Sequence, residues 1–303
     1  FVDITNFLRT EAGINGTTRV GPSYAELTVR RRQVAEGSRN TERPDLVLAE
    51  WFSGEEPSPG ADAVWDALAR SEDLGTISIR EWKTPAELHA LIQRELASTL
   101  DEMDDENDAA GFQMSYGGTL YEGNVYFRRG AAAMAENWQI LSPVRGEGGG
   151  VNELNRMLHR TYRSSHLELA RESVPWKRKI PFAAGPQEIV YGDKVINVRN
   201  KTRRHYFPKD DNSLEYVANG EIGVVVAPFR GKNRKVPLKN LEVEFSTQQG
   251  ISYTFWMNEL GSDDGNPFLE LAYAITIHKS QGSEFGTTFV VIPNPCRLLS
   301  REL

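Results

Sequence analysis

One cysteine, Cys296, occurs in 303 residues. That excludes an internal disulfide framework and any zinc site built from several thiolates. A reducing compartment, with the cytoplasm as the default, is the resulting expectation. Long apolar runs are also missing. No stretch approaches the roughly 20 residues a helix needs to cross a bilayer. The opening residues FVDITNFLRT have neither the basic segment nor the apolar core of a secretory leader. The first residue is Phe rather than Met, so the sequence reads as a fragment. A phosphate loop of the form G-x-x-x-x-G-K-[ST] is absent throughout, as is an Asp-Glu pair in a Walker B setting. The glycine run GEGGG (146–150) does not substitute, because Val151 stands where a dinucleotide fingerprint needs its third glycine. No Ser-His-Asp or paired-carboxylate arrangement stands out. His89, His159, His166 and His205 are scattered and read as surface or packing residues.

An overall basic charge is lacking too. The net charge is −7 and the pI about 5.4, which taken alone argues against a nucleic-acid binder. The distribution changes that argument. Between Arg156 and Lys209, thirteen Lys and Arg stand against Glu168, Glu172, Glu188 and Asp193. Six acids, from Asp101 to Asp108, form an opposing block that reads as a solvated loop. A basic span of this kind can serve phosphate contacts or simply be a solvated face.

What is present is the texture of a globular protein, 39% hydrophobic and 25% charged. Helices are expected at 45–52 and 61–70, and alternation in GTISIREW (75–82) predicts a strand. Thr84-Pro85-Ala86-Glu87 is a capping box with proline at the first helical position, so a helix should run from Pro85 to about Leu100. NWQILSPV (137–144) predicts a core strand, and VNELNRMLHRTYR (151–163) resumes helical spacing. Residues 173–187, with three prolines, resemble a linker. From 188 to 256 short strands alternate with turn signals at Gly192-Asp193, Asn219-Gly220, Arg230-Gly231 and Gln249-Gly250. That is the pattern of a small antiparallel barrel. The chain then returns to α/β texture.

The densest chemistry lies in LAYAITIHKSQGSEF (271–285). Apolar residues lead in, and a polar turn comes next with Thr276, His278, Lys279, Ser280, Gln281, Ser283 and Glu284 around Gly282. TTFVVIP (287–293) then reads as a buried strand. A turn of this kind places donors at a sheet edge.

This run resembles motif V of superfamily 1 DNA helicases, in particular the RecD-like branch, whose pattern reads much like AYAxTxHKSQGSEF. LTVRRRQ (27–33) resembles motif IV, in which an arginine before glutamine lies in the nucleotide cleft. ILSPVRGEGGGVNELNRML (140–158) resembles the helicase segment LSPxRxGxxGVxxLN, although its extra glycines depart from that pattern. YGDKVINVRN together with NGEIGVV resembles the opening of the Src-homology-3-like barrel that interrupts the second motor domain of these helicases. FVDI at the start resembles the residues just after motif III, and RLLSREL at the end resembles the approach to motif VI. Residues 34–136 match weakly.

The resemblance implies a RecA-like second motor domain, a P-loop-type α/β sheet without the P-loop. Its first segment would be 1–185, the inserted SH3-like barrel 186–266 and its second segment 267–303. It implies the C-terminal motor half of an ATP-dependent DNA helicase, binding single-stranded DNA and completing the ATP cleft of an N-terminal motor domain. Arg32 would act on the transferring phosphoryl group. Gln33, Gly282 and Glu284 would lie on the nucleotide side. Arg145, Thr276, His278, Lys279 and Gln281 would lie on the strand side. ATP and Mg2+ would belong to the longer protein, with neither held by this chain alone, and no metal site or membrane partner is implied. The competing reading is a non-catalytic DNA-binding or protein-docking module derived from a helicase.

Overall fold

The computed structural model describes residues 44–50, 60–70, 74–146, 148–174, 176–209, 214–229, 239–261, 267–294 and 296. The chain divides into two compact units, Phe1–Ile79 and Arg80–Leu303. In the first, helices α1 (Pro44–Glu50) and α2 (Asp62–Ala69) form where apolar spacing predicts them. Arg32, Gln33 and the RRRQ run lie outside the described residues.

Residues 75–82, where one unit gives way to the next along the chain, are irregular. The alternation at 75–82 does not become a strand, and Ile79 is 54% exposed. Alternation is a local property, whereas a strand is a pairing that buries one face. Helix α3 (Pro85–Thr99) starts as expected, with the Glu87 amide donating to Thr84 Oγ1 at 3.2 Å. The Glu87 carboxylate reaches one residue further back and accepts from the Lys83 amide at 2.8 Å. The acidic block is a turn region with a structural end. Asp108 caps α4 (Ala109–Met114) by accepting from the amides of Ala110 and Gly111 at 3.0 and 2.9 Å. A short hairpin comes next, β1 (Thr119–Tyr121) with β2 (Asn124–Tyr126).

Two larger sheets organise the rest. The first is parallel, with β3 (Trp138–Ser142) between β12 (Ala274–Thr276) and β13 (Thr287–Val290). Central β3 is almost wholly buried, as its apolar run demands. Edge strand β13 is not. Val290 and Ile292 are 52% and 43% exposed, so the reading of 287–293 as a buried strand is corrected to a half-exposed edge. Helices α5 (Val151–Tyr162) and α6 (Ser164–Ala170) come after β3.

The second sheet is antiparallel and six-stranded, in the order β11-β4-β8-β9-β10-β6. Its strands are β4 (Lys194–Asn197), β6 (Tyr206–Phe207), β8 (Ile222–Ala227), β9 (Asn240–Phe245), β10 (Ser252–Trp256) and β11 (Leu269–Leu271). β5 (Lys201–Thr202) and β7 (Tyr216–Val217) pair separately. β11 pairs with β4, so the antiparallel sheet takes in residues through Leu271 before the chain rejoins the parallel sheet at β12. The architecture is mixed α/β. One buried cluster extends from Leu88 to Val291 through both sheets.

Buried charge joins the sheets at one point. Asp193, fully buried just before β4, accepts from Arg163 Nε at 3.0 Å, from the Tyr273 hydroxyl at 3.0 Å and from the Val190 amide at 2.7 Å. His159 Nε2 stands 2.9 Å from its second oxygen. The remaining Arg163 donors reach Gln113 and the Tyr191 carbonyl. Burial alone would raise the Asp193 carboxyl, but His159, Arg163 and the Val190 amide outweigh it and hold it at about 2, from an ordinary 3.8. Lys194 beside it is also fully buried. It donates to the Trp138 carbonyl at 2.6 Å, and burial brings it down to about 7 despite Glu136. Glu244 on β9 accepts from the Gly130 and Gly250 amides, fastening the short helical turn Ala131–Met134 to this sheet.

These groups correct the charge reading. Arg163, Arg178, Lys194 and Arg203 all belong to the basic span, and all are buried. The span therefore presents less positive surface than its sequence suggests. His159 and His166 are both buried, His159 against the Asp193 carboxylate.

His166 sets an acid limit on the fold. Burial first, then Arg163, lowers its ring from 6.5 to about 3. The unfolded chain takes up that proton as pH falls below 6.5, while the native ring stays neutral, so stability present above pH 6.5 is lost toward pH 3. Asp193 acts in the same direction in a lower window, from 3.8 to about 2. Urea unfolding across pH should therefore show midpoints falling below pH 6.5. His166→Phe should shrink the loss between pH 6.5 and 3.8 and leave the steeper loss below it. A variant whose midpoints track the native protein through the upper window would show that the ring is not held neutral.

Candidate nucleic-acid interface

The loops at the C-terminal ends of parallel strands β3 and β12 form one edge, the usual place for ligands in open α/β sheets. The approach to β12, the strand that leads into the second loop, is held by Asn155 of α5. The buried Asn155 amide donates to the carbonyls of Leu271 and Ala274 at 3.1 and 2.8 Å and accepts from the Ala274 amide at 2.9 Å. Gln139 of β3 adds bonds from its Nε2 to the carbonyls of Ala272 and Tyr273 at 3.0 and 3.1 Å. The backbone between β11 and β12 is thus bonded by two side chains as well as by the Ile140 amide, which reaches the Tyr273 carbonyl at 3.3 Å.

Beyond Thr276 the chain makes one helical turn, α7 (Ile277–Ser280). The Ser280 hydroxyl closes it on the Ile277 carbonyl at 2.7 Å, and the Ser283 amide returns to the Ser280 carbonyl at 3.0 Å. Gly282 lies at φ +88°, a left-handed conformation that side chains resist. The amides of Gly286 and Thr287 then bond the carbonyls of Glu136 and Asn137 at 3.2 and 2.8 Å, returning the chain to the sheet as β13. His278, Gln281 and Glu284 are exposed, and their side chains make no hydrogen bond among the described residues. Thr276 differs. It ends β12 at 9% exposure, so its side chain is largely covered.

The loop after β3 is tight. The Ser142 hydroxyl bonds the Gly149 carbonyl at 3.0 Å, and the amides of Val151 and Asn152 bond the carbonyls of Val144 and Arg145, each at 3.0 Å. The Gly149 amide is taken by the Glu153 carboxylate at 3.1 Å. Burial would raise Glu153, but the Gly149 amide and His89 outweigh it and lower the group. The glycine loop therefore holds its own carboxylate, consistent with its lack of a phosphate-binding pattern.

Arg145, exposed on this loop, and Lys279, on the neighbouring turn, converge on Glu270 of β11 at 2.8 and 2.9 Å. Burial works to raise the Glu270 carboxyl, but Lys279 and Arg145 outweigh it and hold it below the usual carboxylate range. The Asn219-Gly220 turn is also close, since a side-chain carbon at Gly220 would lie 4.0 Å from the Lys279 carbonyl.

The structure thus brings Arg145, Thr276, His278, Lys279, Gln281, Gly282 and Glu284 onto two adjacent loops. Arg32 and Gln33 lie outside the described residues. No cluster of three metal-ligating side chains occurs among the described residues. Nor is any described helix long and apolar enough to cross a membrane. Two residues with clear roles escaped the sequence reading. Asn155 ends the LSPxRxGxxGVxxLN resemblance and could have been found there. Glu270 carried no signal, because its role depends on a pairing between β11 and β4.

Asn155→Ala leaves the buried carbonyls and the Ala274 amide short of partners. We expect a loss of about 1–3 kcal/mol in urea unfolding, with Asn155→Asp recovering only the bond from the Ala274 amide. Hydrogen exchange should show faster exchange at Ala274 in the alanine variant. Unchanged exchange there would mean that the loop is positioned without Asn155.

Residues 271–303 match the UvrD-like helicase C-terminal domain. The matched stretch begins at the last residue of β11 and takes in β12, α7 and β13. The exposed turn of His278, Gln281 and Glu284 lies in this matched stretch, and the similarity suggests a helicase-related role.

Proposed function

We propose that this chain is the C-terminal motor half of a RecD-like, ATP-dependent DNA helicase, a RecA-like domain interrupted by a small barrel. It would bind single-stranded DNA and complete the ATP cleft of an N-terminal domain that carries the phosphate loop. The observation that carries this reading is the meeting of two loops, each resembling a helicase motif, at one edge of a parallel sheet. Strand-side contacts fall to Arg145, His278, Lys279 and Gln281. Thr276, being mostly covered, contributes chiefly by ending β12 at the right depth. Gly282 lets the turn reverse, and Glu284 emerges exposed on its far side, where a nucleotide could be met. By the resemblance, Arg32 and Gln33 would also serve the nucleotide. ATP with Mg2+ would supply the hydrolysable phosphoanhydride, and Arg32 would stabilise charge on its γ-phosphoryl group. Closing and opening of the cleft would then alternate the grip on the strand. Repair or recombination of DNA would be the setting for such a motor.

The absence of a phosphate loop keeps a non-catalytic DNA-binding or docking module as the second reading. Both readings expect this chain alone to hydrolyse no ATP, and the motor and DNA-binding readings expect it to bind single-stranded DNA weakly, with affinity falling steeply as salt rises. Phosphate release and fluorescence anisotropy measure the two properties. Turnover that scales with the chain and survives repurification would overturn both readings, and binding indifferent to salt would overturn the phosphate-contact argument.

Joined to a phosphate-loop domain, Arg32→Ala and Glu284→Ala should lower DNA-stimulated ATP turnover more than DNA affinity. An arginine acting on transition-state charge can be worth about 10³–10⁵ in rate. His278→Ala should show the opposite bias, with circular dichroism melts controlling for folding. If Arg32→Ala weakened DNA binding and left turnover intact, the RRRQ run would be a basic surface stripe.

A further inference from the structure

Arg145 and Lys279 arrive from different loops and meet on one carboxylate. Arg145 donates to Glu270 Oε1 at 2.8 Å and Lys279 to Oε2 at 2.9 Å, one oxygen per cation. Two cations take the same arrangement around a backbone phosphate, whose two free oxygens share the charge. The carboxylate is 15% exposed, Lys279 is 21% exposed and Arg145 is 53% exposed, so the cluster opens to solvent on the arginine side. Beside it, His278 and Gln281 are exposed with no side-chain bond among the described residues. Glu270 belongs to the other sheet. It sits on edge strand β11, opposite Ile196 of β4.

We propose that Arg145 and Lys279 form a subsite for one backbone phosphate of single-stranded nucleic acid, and that Glu270 is its resident surrogate, displaced when the phosphate binds. The inference rests on the nucleic-acid reading above and adds an occupant to that site. In the free protein the carboxylate prevents two like charges from separating and holds both side chains in chelating geometry. Binding exchanges one anion for another, so affinity is lower than the two cations alone would give. The exchange also cuts the only side-chain ion pairs that join β11 to these loops among the described residues. Occupancy of the strand is thereby transmitted to the six-stranded sheet.

The test uses the full chain and a fluorescein-labelled oligo-dT, with anisotropy read at low salt. Glu270→Gln keeps the shape and removes the charge. It should tighten binding about three- to tenfold, the scale on which anion competition at a partly exposed pair acts. Glu122→Gln, in the turn of the β1–β2 hairpin, makes the same change in net charge elsewhere and should leave affinity near that of the native protein. In an Arg145→Ala background the gain from Glu270→Gln should shrink, since only one cation remains to be freed. Circular dichroism confirms folding of each variant. If native protein binds and Glu270→Gln binds no more tightly than Glu122→Gln, the surrogate is refuted and the nucleic-acid reading stands. Weaker binding by a folded Glu270→Gln protein also refutes it, because the carboxylate would then be needed in the bound state. No binding by any of the proteins overturns the nucleic-acid reading and this inference together.

Discussion

The fold of the second unit depends on keeping one buried carboxylate charged. Asp193 sits among His159, Arg163 and Tyr273, with Arg163 wholly enclosed. Arginine cannot shed its charge, so the guanidinium needs this anion or an open path to water. Removing one partner of such a pair costs about 3–5 kcal/mol, against about 5–15 kcal/mol for the stability of a whole domain. The carboxylate therefore fixes where α5, the start of β4 and the approach to β12 must meet. The rings around it, Phe112, Tyr116, Tyr162 and Tyr273, pack within a few ångströms and exclude the water that would otherwise solvate the charges.

Position in the parallel sheet depends on that meeting point. Tyr273 gives its hydroxyl to Asp193 and is the residue immediately before β12. Asn155, four residues before His159 on the same helix, binds the backbone on either side of Tyr273. One face of α5 thus satisfies the buried charge and positions the strand that presents the exposed turn. The chemistry at the rim is placed by polar groups well below it.

Local elements could be read from the sequence wherever neighbours along the chain decide the outcome. The Thr84 cap, the apolar spacing of 151–162 and the run at 138–142 all behave this way. Segment 75–82 failed because alternation does not supply a pairing partner. Strand 287–290 kept its type and lost its burial, since exposure depends on what covers a strand rather than on its own residues. At the site, the turn around Gly282 could be read because its residues are contiguous. Glu270 could not, because its two cations lie 125 and 9 residues away in sequence. The basic span misled for a related reason. Composition counts Arg163 and Lys194 as surface charge, and only three dimensions reveal them as interior groups.

The six-stranded sheet looks in sequence like a module placed within another domain, bounded by a proline-rich stretch and by a return to α/β texture. Its buried bonds tell a different history. Asp193 and Lys194 mark its opening, and between them they satisfy Arg163, Tyr273 and the Trp138 carbonyl of the parallel sheet. Excising this segment and splicing the flanks would strand a guanidinium in an apolar interior. The segment is thus a keystone of the buried core, and a rearrangement that kept every strand pairing but separated Asp193 from Arg163 would leave a buried charge unpaired.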